Sequence, residues 1–132
     1  MTSLERKLKN PVWFSLKERH HKFVIEYDGV QFYHPDVCTF GSFTDVTKTA
    51  QALNKYSKLS KNFFLVSENE TPLLDSSTVF LEKKIEGCQM VLENLVAIQI
   101  SETIVPLTEQ HIDEVYELIW LVMPGYYQKK IV

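Results

Sequence analysis

The chain has 132 residues, of which 45% are hydrophobic and 23% charged, and its formal net charge is −3. That length suits one domain of ordinary size, able to bury roughly two-thirds of the surface its unfolded form exposes. These are ordinary globular values that indicate neither disorder nor a fibrous repeat, and a net negative chain with mixed charges argues against nucleic acid as a partner.

The N-terminus, Met1-Thr-Ser-Leu-Glu-Arg-Lys-Leu-Lys9, is charged and lacks the apolar core of a secretory signal. No apolar run approaches the roughly 20 residues a membrane span needs, so the expectation is a cytoplasmic protein with no membrane partner. Cys38 and Cys88 have neither a CxxC spacing nor a neighbouring ligand-like cluster and are expected to be buried small hydrophobes.

Asn10-Pro-Val-Trp13 opens the structured part. Pro11 biases Asn10 away from helix and Ser15 can cap, so Leu16, His20, Phe23 and Tyr27 are expected on one face of a short helix that Asp28-Gly29 breaks. Val30, Phe32 and Tyr33 predict a brief strand ending at His34-Pro35, and Phe40-Gly41-Ser42-Phe43 a loop that buries aromatic rings. From Asp45 to Lys61 the spacing of Ala50, Leu53, Tyr56 and Leu59 predicts a helix with Lys48, Lys55 and Lys58 toward solvent. Asn62–Ser67 follows as a buried strand, and Glu68–Ser77 as a polar surface loop. Val79, Leu81, Cys88–Glu93 and Val96–Ile100 are expected as strands or edges.

Ile104 and Val105 predict a last short strand that stops at Pro106. Thr108 then stands at an N-cap position, with Glu109 and Gln110 in the first turn, where acceptors suit the exposed N–H groups. Ile112, Val115, Ile119 and Val122 share one helical face, Asp113, Glu114 and Glu117 the other, and Pro124-Gly125 ends the run. The fold class expected is α+β, a small, largely antiparallel sheet packed by two or three helices, with a terminal strand and helix.

Ordered landmarks run from Asn10 to the C-terminus. They are Asn-Pro-Val-Trp, a helix containing a histidine, Tyr33-His-Pro-Asp-Val37, Phe-Gly-Ser-Phe, Cys88-Gln-Met-Val-Leu-Glu93, Ile-Val-Pro-Leu-Thr, the acidic helix, and Leu121-Val-Met-Pro-Gly-Tyr-Tyr127. In that order they resemble the GNAT family of N-acetyltransferases, in a subgroup whose acetyltransferase fold follows a separate N-terminal region. The resemblance implies an N-terminal α+β domain over 1–100 and the truncated beginning of a GNAT-like domain over 101–132. It implies that the full-length form moves an acetyl group from acetyl-CoA to an amine. In the family the segment after the first helix helps line the acceptor side of the cleft, so Tyr126 and Tyr127 are the substrate-lining candidates.

The pyrophosphate of acetyl-CoA needs backbone N–H groups in a glycine-rich turn, and Gly29, Gly41, Gly87 and Gly125 are isolated from one another. No cofactor-binding residue is therefore assigned within these 132 residues, no catalytic residue either, and the expectation is inactivity alone. The truncated reading leaves the apolar face of the last helix partly uncovered and so implies a homodimer through the C-terminal helix, or docking of that helix on the N-terminal domain. The alternative is a non-catalytic binding or dimerisation module.

The remaining polar residues are read structurally. Adjacent His20 and His21 point in different directions and do not share a metal ion easily. His34 before Pro35 suits a turn residue that hydrogen-bonds backbone, His111 an exposed first-turn residue, and the carboxylates of the last helix a solvated face.

Overall fold

The computed structural model describes residues 1–68 and 78–124. By its contacts the chain divides into Met1–Glu86 and Gly87–Val132, and each unit is described by itself.

The first unit opens with helix α1, Ser3–Leu8. The Glu5 N–H donates to Thr2 Oγ1 (3.2 Å) and the Thr2 N–H to Glu5 Oε2 (2.6 Å), a capping box that holds the Glu5 carboxyl below the usual range. Helix α2, Pro11–Lys17, starts with proline at a position whose N–H would be orphaned in any helix. An ion pair of 2.6 Å between Lys7 Nζ and Glu18 Oε1 ties α1 to the C-terminal end of α2.

Strands β1 (Val24–Tyr27) and β2 (Val30–Tyr33) form an antiparallel hairpin, with Val24 opposite Tyr33 and Tyr27 opposite Val30. Asp28 at φ 53° and Gly29 at φ 83° are its two turn residues, a conformation that suits the right-handed twist of the strands. Strand β3 (Phe40–Ser42) pairs antiparallel with β2, and β4 (Phe64–Val66) pairs parallel with β3. The parallel pair needs a crossover, which helix α3 (Thr49–Tyr56) supplies. The fold is α+β, with a four-stranded mixed sheet in the order β1-β2-β3-β4.

Side chains alternate across β2 and give the sheet two different faces. Val30 and Phe32 join Phe43 and the α3 residues Ala52, Leu53 and Tyr56 in the apolar core. The Phe32 ring stacks on Tyr56 at 4.2 Å between centroids, and Phe63 meets both rings edge-on. Gly41 exists because of that ring: a Cβ there would lie 2.7 Å from Phe32 Cε1 and closer still to Cδ1. The opposite face, with Gln31, Tyr33 and Ser42, looks toward α2.

Several expectations are corrected here. Tyr27 is not helical; α2 ends at Lys17, and Val24–Tyr27 becomes a strand because Asp28-Gly29 closes a hairpin onto β2. Ser15 lies inside α2, and Asn10 is its N-cap residue. Phe40-Gly41-Ser42 is a strand and not a loop, since Gly41 lets the backbone pass over Phe32. Helix α3 is shorter than Asp45–Lys61, and Leu59 stands exposed. The loop foreseen at Glu68–Ser77 lies outside the described residues from position 69 onward.

In the second unit, Glu109–His111 form a 3₁₀ turn that leads into helix α4, Ile112–Val122. The Thr108 N–H donates to His111 Nδ1 at 3.0 Å. Ile112, Val115, Tyr116 and Ile119 are half-buried, and no described residue of this unit is fully buried. Val79, Leu81, Cys88–Glu93, Val96–Ile100 and Ile104-Val105 are not strands. A strand is stable only with its edge groups paired, and no described strand lies alongside these segments to pair with. Val79, which belongs to the first unit, packs against that unit's own core, while Cys88 in the second is exposed, contrary to its expected burial. No described helix is long and apolar enough to cross a membrane.

Candidate functional site

The α2-facing side of the sheet carries an unusual concentration of polar groups. Asn10 is 6% exposed; its Nδ2 donates to the Phe43 carbonyl (3.2 Å), and its Oδ1 accepts from Ser42 Oγ (2.6 Å). Ser42 Oγ also lies 2.7 Å from the Val66 carbonyl. The hydroxyl has one proton and two acceptors within reach, so that proton is shared, and the network joins the start of α2 to both β3 and β4. Gln31 stands opposite Ser42 in the ladder, and its buried Oε1 has no hydrogen-bond partner.

Two residues further along β2, on the same face, Tyr33 meets the end of α2. Its hydroxyl lies 2.7 Å from His20 Nδ1, with the rings edge-on. From the other side of the sheet, the Tyr56 hydroxyl donates to the Tyr33 carbonyl at 2.8 Å. Burial is the main cause that raises the Tyr33 phenol above its ordinary pKa; the neighbouring Ser15 side chain opposes it and proximity to Cys38 adds to it. Burial likewise pushes the Cys38 thiol up.

Those surroundings decide what the cluster can do. A thiol pushed up by burial stays neutral near pH 7 and is a poor nucleophile. The phenol also stays protonated and is engaged by His20. The group ties the chain just past the end of α2 to β2. The His34 N–H donates to the Phe23 carbonyl, and its Nδ1 accepts from the Asp36 N–H at 3.2 Å, the turn role expected for it. Among the described residues no group of three or more His, Cys, Asp or Glu could hold a metal ion.

Tyr126 and Tyr127, the substrate-lining candidates, lie outside the described residues. Asp113, Glu114 and Glu117 are exposed on α4, as their spacing indicated. Sequence reading missed the His20–Tyr33 pair, because 13 positions separate partners that only the hairpin brings together. It also missed the Asn10–Ser42 bond across 32 positions. Comparison of the chain with protein-family models, curated proteins and solved structures gives no match.

Proposed function

We propose that these residues are the N-terminal part of a GNAT-type N-acetyltransferase, acting in the cytoplasm and catalytically silent by themselves. The full-length form would transfer the acetyl group of acetyl-CoA to an amine. One observation carries the reading: landmarks that lie apart in the sequence meet in the fold. Asn10, which opens Asn-Pro-Val-Trp, hydrogen-bonds directly to Ser42 and Phe43 of Phe-Gly-Ser-Phe. Tyr33, which opens Tyr-His-Pro-Asp-Val, ends the strand that pairs with that same segment. Residues whose order suggested a family thus form one contact network, as expected of a motif set that holds a domain together.

A second reading, a non-catalytic binding or dimerisation module, is favoured by the second unit. Leu118, Leu121 and Val122 of α4 are 62%, 80% and 69% exposed, an apolar surface suited to a second copy of the chain.

The test is to read the gene through codon 132 and titrate acetyl-CoA, by calorimetry, into both the 132-residue chain and whatever longer chain the frame encodes. Saturable binding by the longer chain alone supports the acetyltransferase reading. A stop at codon 133 refutes it in favour of the module, and binding by the 132 residues refutes the assignment of the cofactor site elsewhere.

A further inference from the structure

The chain's charges are segregated in a way that its overall value of −3 conceals. Residues 1–22 hold six cations (Arg6, Lys7, Lys9, Lys17, Arg19 and Lys22) against two anions, a net +4. Residues 87–124 hold Glu93, Glu102, Glu109, Asp113, Glu114 and Glu117 with no lysine or arginine, a net −6. The structure adds geometry to both. The Lys7–Glu18 pair brings α1 to the end of α2, where Lys17 and Arg19 flank Glu18 in the chain. On α1, which also carries Arg6, Leu4 is 64% exposed and no residue is buried. On α4, Glu114, Glu117, Leu118 and Leu121 follow one another at helical spacing and are all exposed. One face therefore combines cations with uncovered apolar side chains, and the other combines anions with uncovered apolar side chains.

We infer that α4 of one copy docks on the basic α1–α2 face of a second copy, and the reverse, about a two-fold axis. This rests on the dimer reading above and names the surface that receives the helix; it does not depend on acetyl-CoA chemistry. Area favours a second copy. Leu118, Leu121 and Val122, on the side of α4 that carries Glu114 and Glu117, are 62%, 80% and 69% exposed, and burying such side chains removes roughly 100 Å² each. One helix-on-face contact then covers about 600 Å² counted on both sides, too little for a stable interface by itself. Repeated by the two-fold it covers about 1,200 Å², at the lower edge of specific interfaces.

The reciprocal geometry allows a charge-swap test on the full chain. Lys17→Glu with Arg19→Glu is one variant, and Glu114→Lys with Glu117→Lys is the other. Each alone places like charges against each other twice, so its dimer dissociation constant in analytical ultracentrifugation should rise at least about tenfold. Mixed together, every contact is again between opposite charges, and the heterodimer should form within about threefold of the wild-type affinity. That rescue also shows both variants to be folded. A monomeric wild-type chain overturns the dimer itself. A wild-type dimer whose variants still self-associate, or whose mixture stays monomeric, overturns the assigned surface, including the case in which α4 docks within its own chain.

Discussion

Gly41→Ala tests whether the sheet is as tightly set over Phe32 as its geometry indicates. The new methyl would lie 2.7 Å from Phe32 Cε1 and closer still to Cδ1, against about 3.4 Å for an ordinary contact, so the ring would have to retreat by more than ~0.7 Å. It has little room to do so. Tyr56 stacks on one side at 4.2 Å, Phe63 stands edge-on at 6.2 Å and Tyr27 is tilted at 6.3 Å. Overpacking of this kind costs about 1–3 kcal/mol, and the strand preference of alanine over glycine returns about 0.5 kcal/mol. The expected net loss is about 1.5 kcal/mol, or about 6–12 °C in Tm for a unit of this size. Urea denaturation followed by far-UV circular dichroism measures it, with Gly87→Ala, whose methyl meets nothing within 4 Å, as the neutral control. Trimming the obstructing ring with Phe32→Leu should make the double variant less damaged than the sum of its parts. A Gly41→Ala loss below about 0.5 kcal/mol, or strict additivity with Phe32→Leu, would refute the reasoning.

Ser42→Ala removes a fully buried hydroxyl and leaves Asn10 Oδ1 and the Val66 carbonyl short of a donor, so thermal unfolding should report a loss of about 2 kcal/mol. Burial raises the phenols of Tyr33 and Tyr56 in the folded chain above their ordinary value of 10.0. Their contribution to stability is therefore complete below about pH 10 and is lost as pH climbs past it; a pH series of melts from 8 to 12 should slope downward, and Tyr56→Phe should flatten the slope. Residues 87–107 are exposed and outside helix or strand, so a glutamate-specific protease should cut after Glu93 and Glu102 well before Glu26, which sits in β1. Early cleavage at Glu26 would contradict the division of the chain.

The parts of the fold legible in the sequence are those set by local spacing. Val30–Tyr33, the α3 face of Leu53 and Tyr56, and the helix from Ile112 to Val122 each follow from a run of apolar residues at one period. What was illegible depends on partners. Val24–Tyr27 follows Leu16 and His20 at near-helical spacing, and only the strand-favouring turn at Asp28-Gly29, a signal present but read as a simple break, assigns it to the sheet. Phe-Gly-Ser is a strand only because β2 and β4 lie on either side of it. Conversely, Cys88–Glu93 has the apolar run of a strand, Met90-Val-Leu92, but no described strand pairs with it. The polar network around Asn10, Ser42 and Tyr33 was invisible for the same reason: hydrogen bonds over 13 to 32 positions leave no periodicity behind.

The two units differ in the origin of their order. The first owns a core, with Leu16, Val30, Phe32 and Tyr56 at 0–1% exposure, and can set that burial against the entropy of fixing its backbone. The second has no fully buried described residue, and its described α-helix spans 11 residues, shorter than the roughly 12–15 at which isolated helices become even marginal in water. Its helix must therefore draw stability from contact with something beyond itself, and if that partner is a second copy, mass action ties α4 to protein concentration. Dilution below the dimer dissociation constant should erase the α4 share of the helical signal, expose Trp120 to quenchers, and lower the first unit's melting temperature, since its α1–α2 face is what receives the helix. A helical signal and Trp120 quenching that are both independent of concentration would leave the dimer without its physical basis.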